Sequence, residues 1–158
     1  EFIFAATNEV LKAKSFEIGA ARIYQRFDFS DPYSLNDCQK VEGYLEEHTG
    51  NFFDSIKTDQ LVGASGSFET FYELIRDLPY PPGEYIELEK EVLEKELERI
   101  IFSTQAERDE NRRIIPIRKK MAPIAALKIR WIIRKLNIQK ITISPYSLKE
   151  GVIDSITV

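Results

Sequence analysis

The order of apolar and polar positions divides the chain into short strands and longer amphipathic helices. Glu1 to Thr7 is an apolar run closed by Thr7-Asn8-Glu9, and Val10 to Ile18 follows with alternating character, so the pair predicts a β-hairpin turning at Asn8. After Gly19, the spacing of Ala20, Ile23, Tyr24 and Phe27 predicts a helix that Phe29-Ser30-Asp31-Pro32 interrupts. A long amphipathic segment then runs from about Ser34 to Ile56, with Leu35, Val41, Tyr44, Leu45, Phe52 and Phe53 as core candidates and Gly50 as a break. Asp59 to Val62 reads as a short buried strand. It feeds into Gly63-Ala64-Ser65-Gly66-Ser67, after which Phe68, Phe71, Tyr72, Leu74 and Ile75 mark the next helix.

Leu78-Pro79-Tyr80-Pro81-Pro82-Gly83 is the strongest breaker in the chain. Beyond it, Tyr85 to Leu88 predicts an edge strand. A charged helix to about Phe102 follows, whose alternating charges around Val92, Leu93 and Leu97 predict a solvated face with i,i+4 pairs. Thr104 to Asn111 predicts a short polar helix. Pro123 suits the first turn of a helix running to Leu136, in which Ile129, Trp131, Ile132 and Ile133 are core positions. Ile138 to Ser144 alternates like a strand at a sheet edge or under one layer, and Pro145-Tyr146-Ser147 leads into a last helix from about Leu148. Hairpin strands first, then helices alternating with single strands, give an α/β class with a mixed sheet flanked by helices.

Composition narrows the function classes. The chain has 158 residues, 43% hydrophobic and 30% charged, which suits one domain with a core. The formal charge of -4 offers no strong field for nucleic acid or anionic lipid, so any polyanion must be held by a local site. Cys38 is the one cysteine and cannot form an internal disulfide, and no Cys/His cluster has zinc spacing, so no protein-bound metal is expected and the cytoplasm is the expected compartment. No apolar run reaches the ~18 residues of a membrane span, so neither a membrane nor a nucleic-acid partner is expected. His48, in a polar stretch, reads as a surface residue near a helix end, and Cys38 as an idle thiol.

Candidate chemistry lies in two places. Gly63-Ala64-Ser65-Gly66-Ser67, between a strand and a helix, lets backbone N–H groups approach a phosphate at a helix N-terminus, with the Ser65 and Ser67 hydroxyls as further donors. An ordinary strand-to-helix turn capped by serine gives the same letters. Lys149, Glu150 and Gly151 follow the last strand in the same way, where strand ends line ligand crevices in open α/β sheets, although an exposed Lys-Glu pair at a helix start would look alike. The basic run Arg112, Arg113, Arg118, Lys119, Lys120 fits either a solvated loop or a landing surface for a polyanion or a further lobe.

Taken in order, these segments resemble the exopolyphosphatase/guanosine pentaphosphate phosphatase (Ppx/GppA) family across essentially the whole chain. Lys14 to Ile23 resembles the family's segment entering the first helix of its C-terminal lobe. Leu61 to Ser67 resembles its Gly-x-Ser-Gly-Thr/Ser phosphate loop, Glu107-Arg108 and Arg118-Lys119 its acidic-basic helix and the Arg-led helix after it, and Leu148 to Ile153 its Leu-Arg-Glu-Gly-Val-Leu ending. Lys149 replaces the usual arginine, and Ala125 stands where that helix usually has glycine.

The resemblance implies an RNase H-like lobe of the actin-like ATPase superfamily. Residues 1–158 would be its C-terminal domain, with the first strand and a Gly-Gly-Gly-Ser-x-Glu loop missing and Glu1 the only remnant of that loop. It implies hydrolysis of terminal phosphoanhydride bonds of polyphosphate or guanosine pentaphosphate, with Mg2+ and an N-terminal lobe as partners. On this expectation Gly63, Ala64, Ser65, Gly66 and Ser67 bind phosphate, Lys149, Glu150, Gly151 and Arg118 support them, and the isolated lobe is inactive. A family member that binds polyphosphate or an alarmone without hydrolysing it is the alternative. The strand-like start at Phe2 further predicts an open strand edge and self-association into a homo-oligomer.

Overall fold

The computed structural model describes residues 1–7, 9–64 and 66–146. The expected hairpin is present: β1 (Phe2–Ala6) pairs antiparallel with β2 (Glu9–Lys14), with a bulge at Phe4/Ala5, and the turn residue Asn8 lies outside the described residues. These strands form their own two-stranded sheet. It is anchored by Phe2, whose ring meets Phe53 edge-on at 5.0 Å and lies 6.4 Å from Trp131.

A second, mixed sheet carries β3 (Gln60–Ala64), β4 (Ile86–Leu88) and β5 (Lys140–Ser144) in the order β3-β5-β4. β5 runs parallel to β3, with Ala64 opposite Ser144, and antiparallel to β4, with Ile86 opposite Ile143. The Asp59 carbonyl accepts from the N–H groups of Gln139 and Lys140 at 2.7 and 2.9 Å and sets that register.

This topology corrects two expectations. The segment ending at Ser144 is the central strand, not an edge, and it buries Ile141 and Ile143. Among the described residues β3 is an edge paired on one side only, so Val62 stays 61% exposed where a buried strand is predicted.

The helices are α1 (Ala20–Arg26), α2 (Leu35–Thr49), α3 (Gly66–Arg76), α4 (Lys90–Ile101), α5 (Gln105–Glu110), α6 (Pro116–Lys119) and α7 (Ala122–Lys135), with a 3-10 turn at Gly50–Phe53. α7 is central. It has Pro123 in its first turn, packs against α1, α2 and α4, and runs directly into β5. Ile124, Leu127, Ile129, Trp131, Ile132 and Ile133 are buried, as the sequence predicts for the last four. Three of its side chains bond to α2: Arg130 pairs with Glu42 at 3.0 Å, Trp131 Nε1 donates to Glu46 at 2.7 Å, and Lys135 also reaches Glu46. These bonds outweigh the burial that would raise the Glu46 carboxyl and hold it below the usual range.

Leu35, a predicted core residue, is 72% exposed. It opens α2 on the solvent side, because the cap at Ser34 turns the apolar face to Cys38, Val41, Tyr44 and Leu45. In α4, Val92 is 39% exposed beside the buried Leu93 and Leu97, and the helix carries an i,i+3 pair, Glu96–Arg99, where i,i+4 pairs are predicted. The short helix α6 is not marked by the apolar pattern, although the family resemblance places an Arg-led helix at Arg118-Lys119. α3 and α7 each end on a left-handed residue, Asp77 and Asn137, a common way to stop a helix. The predicted helix from Leu148 lies outside the described residues, and among the described residues no helix is long and apolar enough to cross a membrane.

The Ser34 cap depends on Asp37, which is buried yet accepts from the Ser30 and Ser34 hydroxyls at 2.5 and 2.6 Å, the Ser34 N–H at 3.0 Å and Lys40 at 3.0 Å. Burial alone would raise this carboxyl; the four donors overcome it and hold it well below the carboxylate range. Its contribution to stability is therefore complete above the unfolded value of about 3.9 and is lost as pH falls below it. Asp37→Asn is expected to lower stability by about 1 to 3 kcal/mol at neutral pH. Denaturant melts of the two chains should converge as the pH drops below about 4; a constant gap down to acid would show that the charge is not what stabilises the cap.

Candidate functional site

β3 runs straight into α3, and two glycines make that junction possible. At Gly63, a Cβ would fall inside the ring of Phe68, which folds back from the first turn of α3. At Gly66, the first residue of α3, a Cβ would fall inside the guanidinium of Arg118. Gly63 and Gly66 are both buried, whereas Ala64 and Ser67 are exposed and face outward from the loop. Ser65 lies outside the described residues.

Arg118 is thus brought onto the loop, not left in solvent. Its Nη1 donates to the Gly66 carbonyl at 2.7 Å and to Thr70 Oγ1 at 2.9 Å, and the Thr70 hydroxyl donates to the same carbonyl at 2.7 Å. Among the described residues only this one nitrogen of Arg118 donates, so the rest of the guanidinium lies over Gly66 as an uncommitted positive group. Two features here attract an anion: a helix N-terminus and a half-buried cation.

Arg118 is held in turn from behind. It sits in α6, started by Pro116, and the Lys119 carbonyl at the end of α6 accepts from Nε of Arg108 at 2.9 Å. Arg108 is only 3% exposed. Its other donors reach the Ser103 carbonyl and hydroxyl and the Gln105 side chain, while Asp31 stands at 3.7 Å. Burial pulls its proton affinity down, and Asp31 works against that. Glu107 caps α5 through the Thr104 N–H at 2.7 Å.

The parallel strands β3 and β5 end side by side, with Ala64 opposite Ser144, so the loop opens where the two strand ends meet. Ser144 is buried and closes its own turn, donating to the Tyr146 carbonyl at 3.3 Å and accepting from its N–H at 3.2 Å.

Of the sequence-predicted site, Gly63, Ala64, Gly66, Ser67 and Arg118 stand together. Lys149, Glu150 and Gly151 lie outside the described residues. Glu1 is exposed at the head of the hairpin, in the other sheet from the loop. The basic run is partly committed to internal contacts: Arg113 clasps Asp77 at 3.0 Å, Lys119 reaches the Asp109 carbonyl, and Arg112 and Lys120 remain exposed. His48 is half-buried, stacked on Tyr44 at 3.7 Å, and Cys38 is buried with its thiol pushed up by desolvation. Thr70 was not singled out from sequence, and Arg108 entered only with Glu107 as part of the acidic-basic helix that the family resemblance implies, without a role at the loop. Thr70 had one signal, its place one helical turn after Gly66; for Arg108, in a charged segment, periodicity gave no sign of burial.

If Arg118 and Gly66 occupy one space, substitutions there are coupled. Gly66→Ala is expected to displace the flexible guanidinium and cost stability, and Arg118→Ala to cost stability by freeing the Gly66 carbonyl. The double variant should be more stable than the sum of the two costs, by about 0.5 to 3 kcal/mol in a denaturant double-mutant cycle. Additive costs would mean that the two residues do not meet.

The chain matches the model of the Ppx/GppA phosphatase family over residues 1–158. No curated protein matches it. Among solved structures, an exopolyphosphatase from Cytophaga hutchinsonii superposes with a TM-score of 0.89 at 28% sequence identity, over 98% of this chain and 52% of that one. A PPX-GPPA enzyme from Aquifex aeolicus superposes with a TM-score of 0.84 at 20% identity, over 97% of this chain and 52% of that one, a likeness that bears on the fold alone. The chain therefore spans about half the length of these structures. Its fold is the RNase H-like lobe of actin-like proteins, with a mixed sheet flanked by helices.

Proposed function

Because this chain belongs to the Ppx/GppA phosphatase family, we propose that it forms one wall of a phosphoanhydride hydrolase and holds the terminal phosphates of polyphosphate or guanosine pentaphosphate on Gly63–Ser67. The observation that carries this reading is the guanidinium of Arg118 seated on Gly66 at the N-terminus of α3. A side chain at either glycine would close the approach of backbone N–H groups to an anion, and Arg118 adds a fixed charge where phosphoryl oxygens would sit.

On this reading the reaction is in-line transfer of a terminal phosphoryl group to water, in which the protein supplies position and charge neutralisation. The chain's own part is binding and orientation: the loop fixes the phosphate, Thr70 fixes the Gly66 carbonyl and Arg118, and Arg108 fixes α6. A glutamate from a further lobe would prepare the water, as the family resemblance implies. Mg2+ is proposed to arrive with the phosphate chain, since it keeps several waters and binds through substrate phosphates plus one or two carboxylates. Among the described residues no group of three His, Cys, Asp or Glu forms a cage for it.

Two outcomes are expected with inorganic tripolyphosphate at low salt. NMR shifts should centre on Gly63, Gly66 and Ser67, and Gly66→Val should weaken binding at least tenfold. Phosphate release by this chain alone, with magnesium, should stay at the buffer rate. Shifts confined to Arg112, Arg113 and Lys120 would move the site to the basic run, and turnover matching a full-length family member would place a catalytic base within this chain.

A further inference from the structure

Two exposed aromatic rings stand at the same end of the sheet as the loop. Tyr146 follows β5 directly and is 50% exposed; Tyr85 precedes β4 and is 64% exposed. Their centroids are 5.8 Å apart and the planes meet at 69°. The strand register fixes their place: Ser144 lies opposite Ala64, where the loop begins, and Ile143 lies opposite Ile86. Neighbouring strands are about 4.8 Å apart, so the backbone of both tyrosines lies within roughly 10 Å of the backbone at Ala64, where the loop begins.

The segment carrying Tyr85 is held to the helix that starts in the loop. Tyr80 donates its N–H to Glu73 of α3 at 3.1 Å, packs edge-on against Tyr72 of α3 at 5.4 Å, and donates its hydroxyl to the Glu84 carbonyl. An edge-to-face pair leaves one face of each ring open, and these rings keep half or more of their surface in water although they touch. A flat group can stack on one ring while the edge of the other limits its slide.

Resting on the phosphate-loop reading above, we infer that Tyr85 and Tyr146 form a stacking platform for a purine base, so that the ligand this wall selects is a nucleoside polyphosphate in preference to linear polyphosphate. The chemistry separates the two ligand classes. Both carry phosphates for the loop, and only the nucleotide carries a flat apolar face for the tyrosines. Base stacking on an aromatic side chain is sequence-tolerant, so the platform selects for a base and leaves its identity to other contacts.

The test is a titration of the full chain with guanosine 5′-triphosphate and, separately, inorganic tripolyphosphate, followed by NMR of the loop amides and by tyrosine fluorescence. The wild-type chain should bind the nucleotide about 5- to 100-fold more tightly. The double variant Tyr85→Ala/Tyr146→Ala should bring the nucleotide down to the level of tripolyphosphate and leave tripolyphosphate unchanged. Tyr85→Phe/Tyr146→Phe keeps both rings and should retain the preference. Loop shifts with both ligands at equal affinity, or an alanine variant that weakens both alike or neither, overturn the platform and leave the loop reading standing. A dimer seen by sedimentation and lost in the alanine variant, without any difference between ligands, assigns the rings to a second copy and overturns it too. If neither ligand moves Gly63, Gly66 or Ser67, the loop reading fails and the platform with it.

Discussion

The rest of the structure depends on burying α7. Ten of its 14 residues are buried, so apolar surface points outward on nearly every side and the helix is stable only if surrounded. α1, α2 and α4 do this, and β5, the central strand of its sheet, follows α7 after a short connection that turns at the left-handed Asn137. Each fully buried Leu or Ile is worth about 1.5 to 3 kcal/mol. Polar groups of α7 are paired toward α2, where Glu42 and Glu46 accept from Arg130, Trp131 and Lys135, although Nε of Arg130 is buried without a partner. Packing fixes where α7 lies, and these bonds fix how it is rotated.

That placement determines the loop. α6 ends one turn before α7 begins, so Arg118 can reach Gly66 only because the start of α7 is pinned against the core. The end of α6 is fixed a second time by the buried Arg108, whose closest acceptors are the carbonyls of Ser103 and Lys119 together with a hydroxyl and an amide. Several neutral acceptors in different directions hold a guanidinium in one geometry more firmly than a single exposed carboxylate would, because a surface ion pair contributes at most about 1 kcal/mol. The order of the loop is therefore a consequence of contacts made well away from it.

What could be read from the sequence follows the range of the interactions. The hairpin, most helices, the apolar face of α7 and the strand–glycine–helix junction depend on local periodicity, and they were legible. So were Gly63 and Gly66 as positions that need glycine, although the reasons differ in range: Gly63 is covered by Phe68, five residues on, and Gly66 by Arg118, 52 residues away. Sheet order was not legible, because alternation in Ile138 to Ser144 is the same for an edge and a centre. Leu35 failed for a related reason: a period places apolar residues on one face but does not say where a cap cuts that face off. Arg108 reads as one more charge in a polar helix, and only the fold shows it buried.

A single wall limits what the loop can do by itself, and electrostatics says by how much. Two unit charges 4 Å apart interact by about 1 kcal/mol in water and by about 4 kcal/mol at the effective dielectric of a protein surface cleft. On the proposed reading, a phosphate on Gly66 faces Arg118 and a helix N-terminus on one side and solvent on the other, so its attraction lies toward the lower figure and is screened by salt. Covering the open side would exclude that water and strengthen the contacts already present, without moving one of them. The loop and Arg118 therefore set where the phosphate lies, and the strength with which they act on it depends on what closes over them.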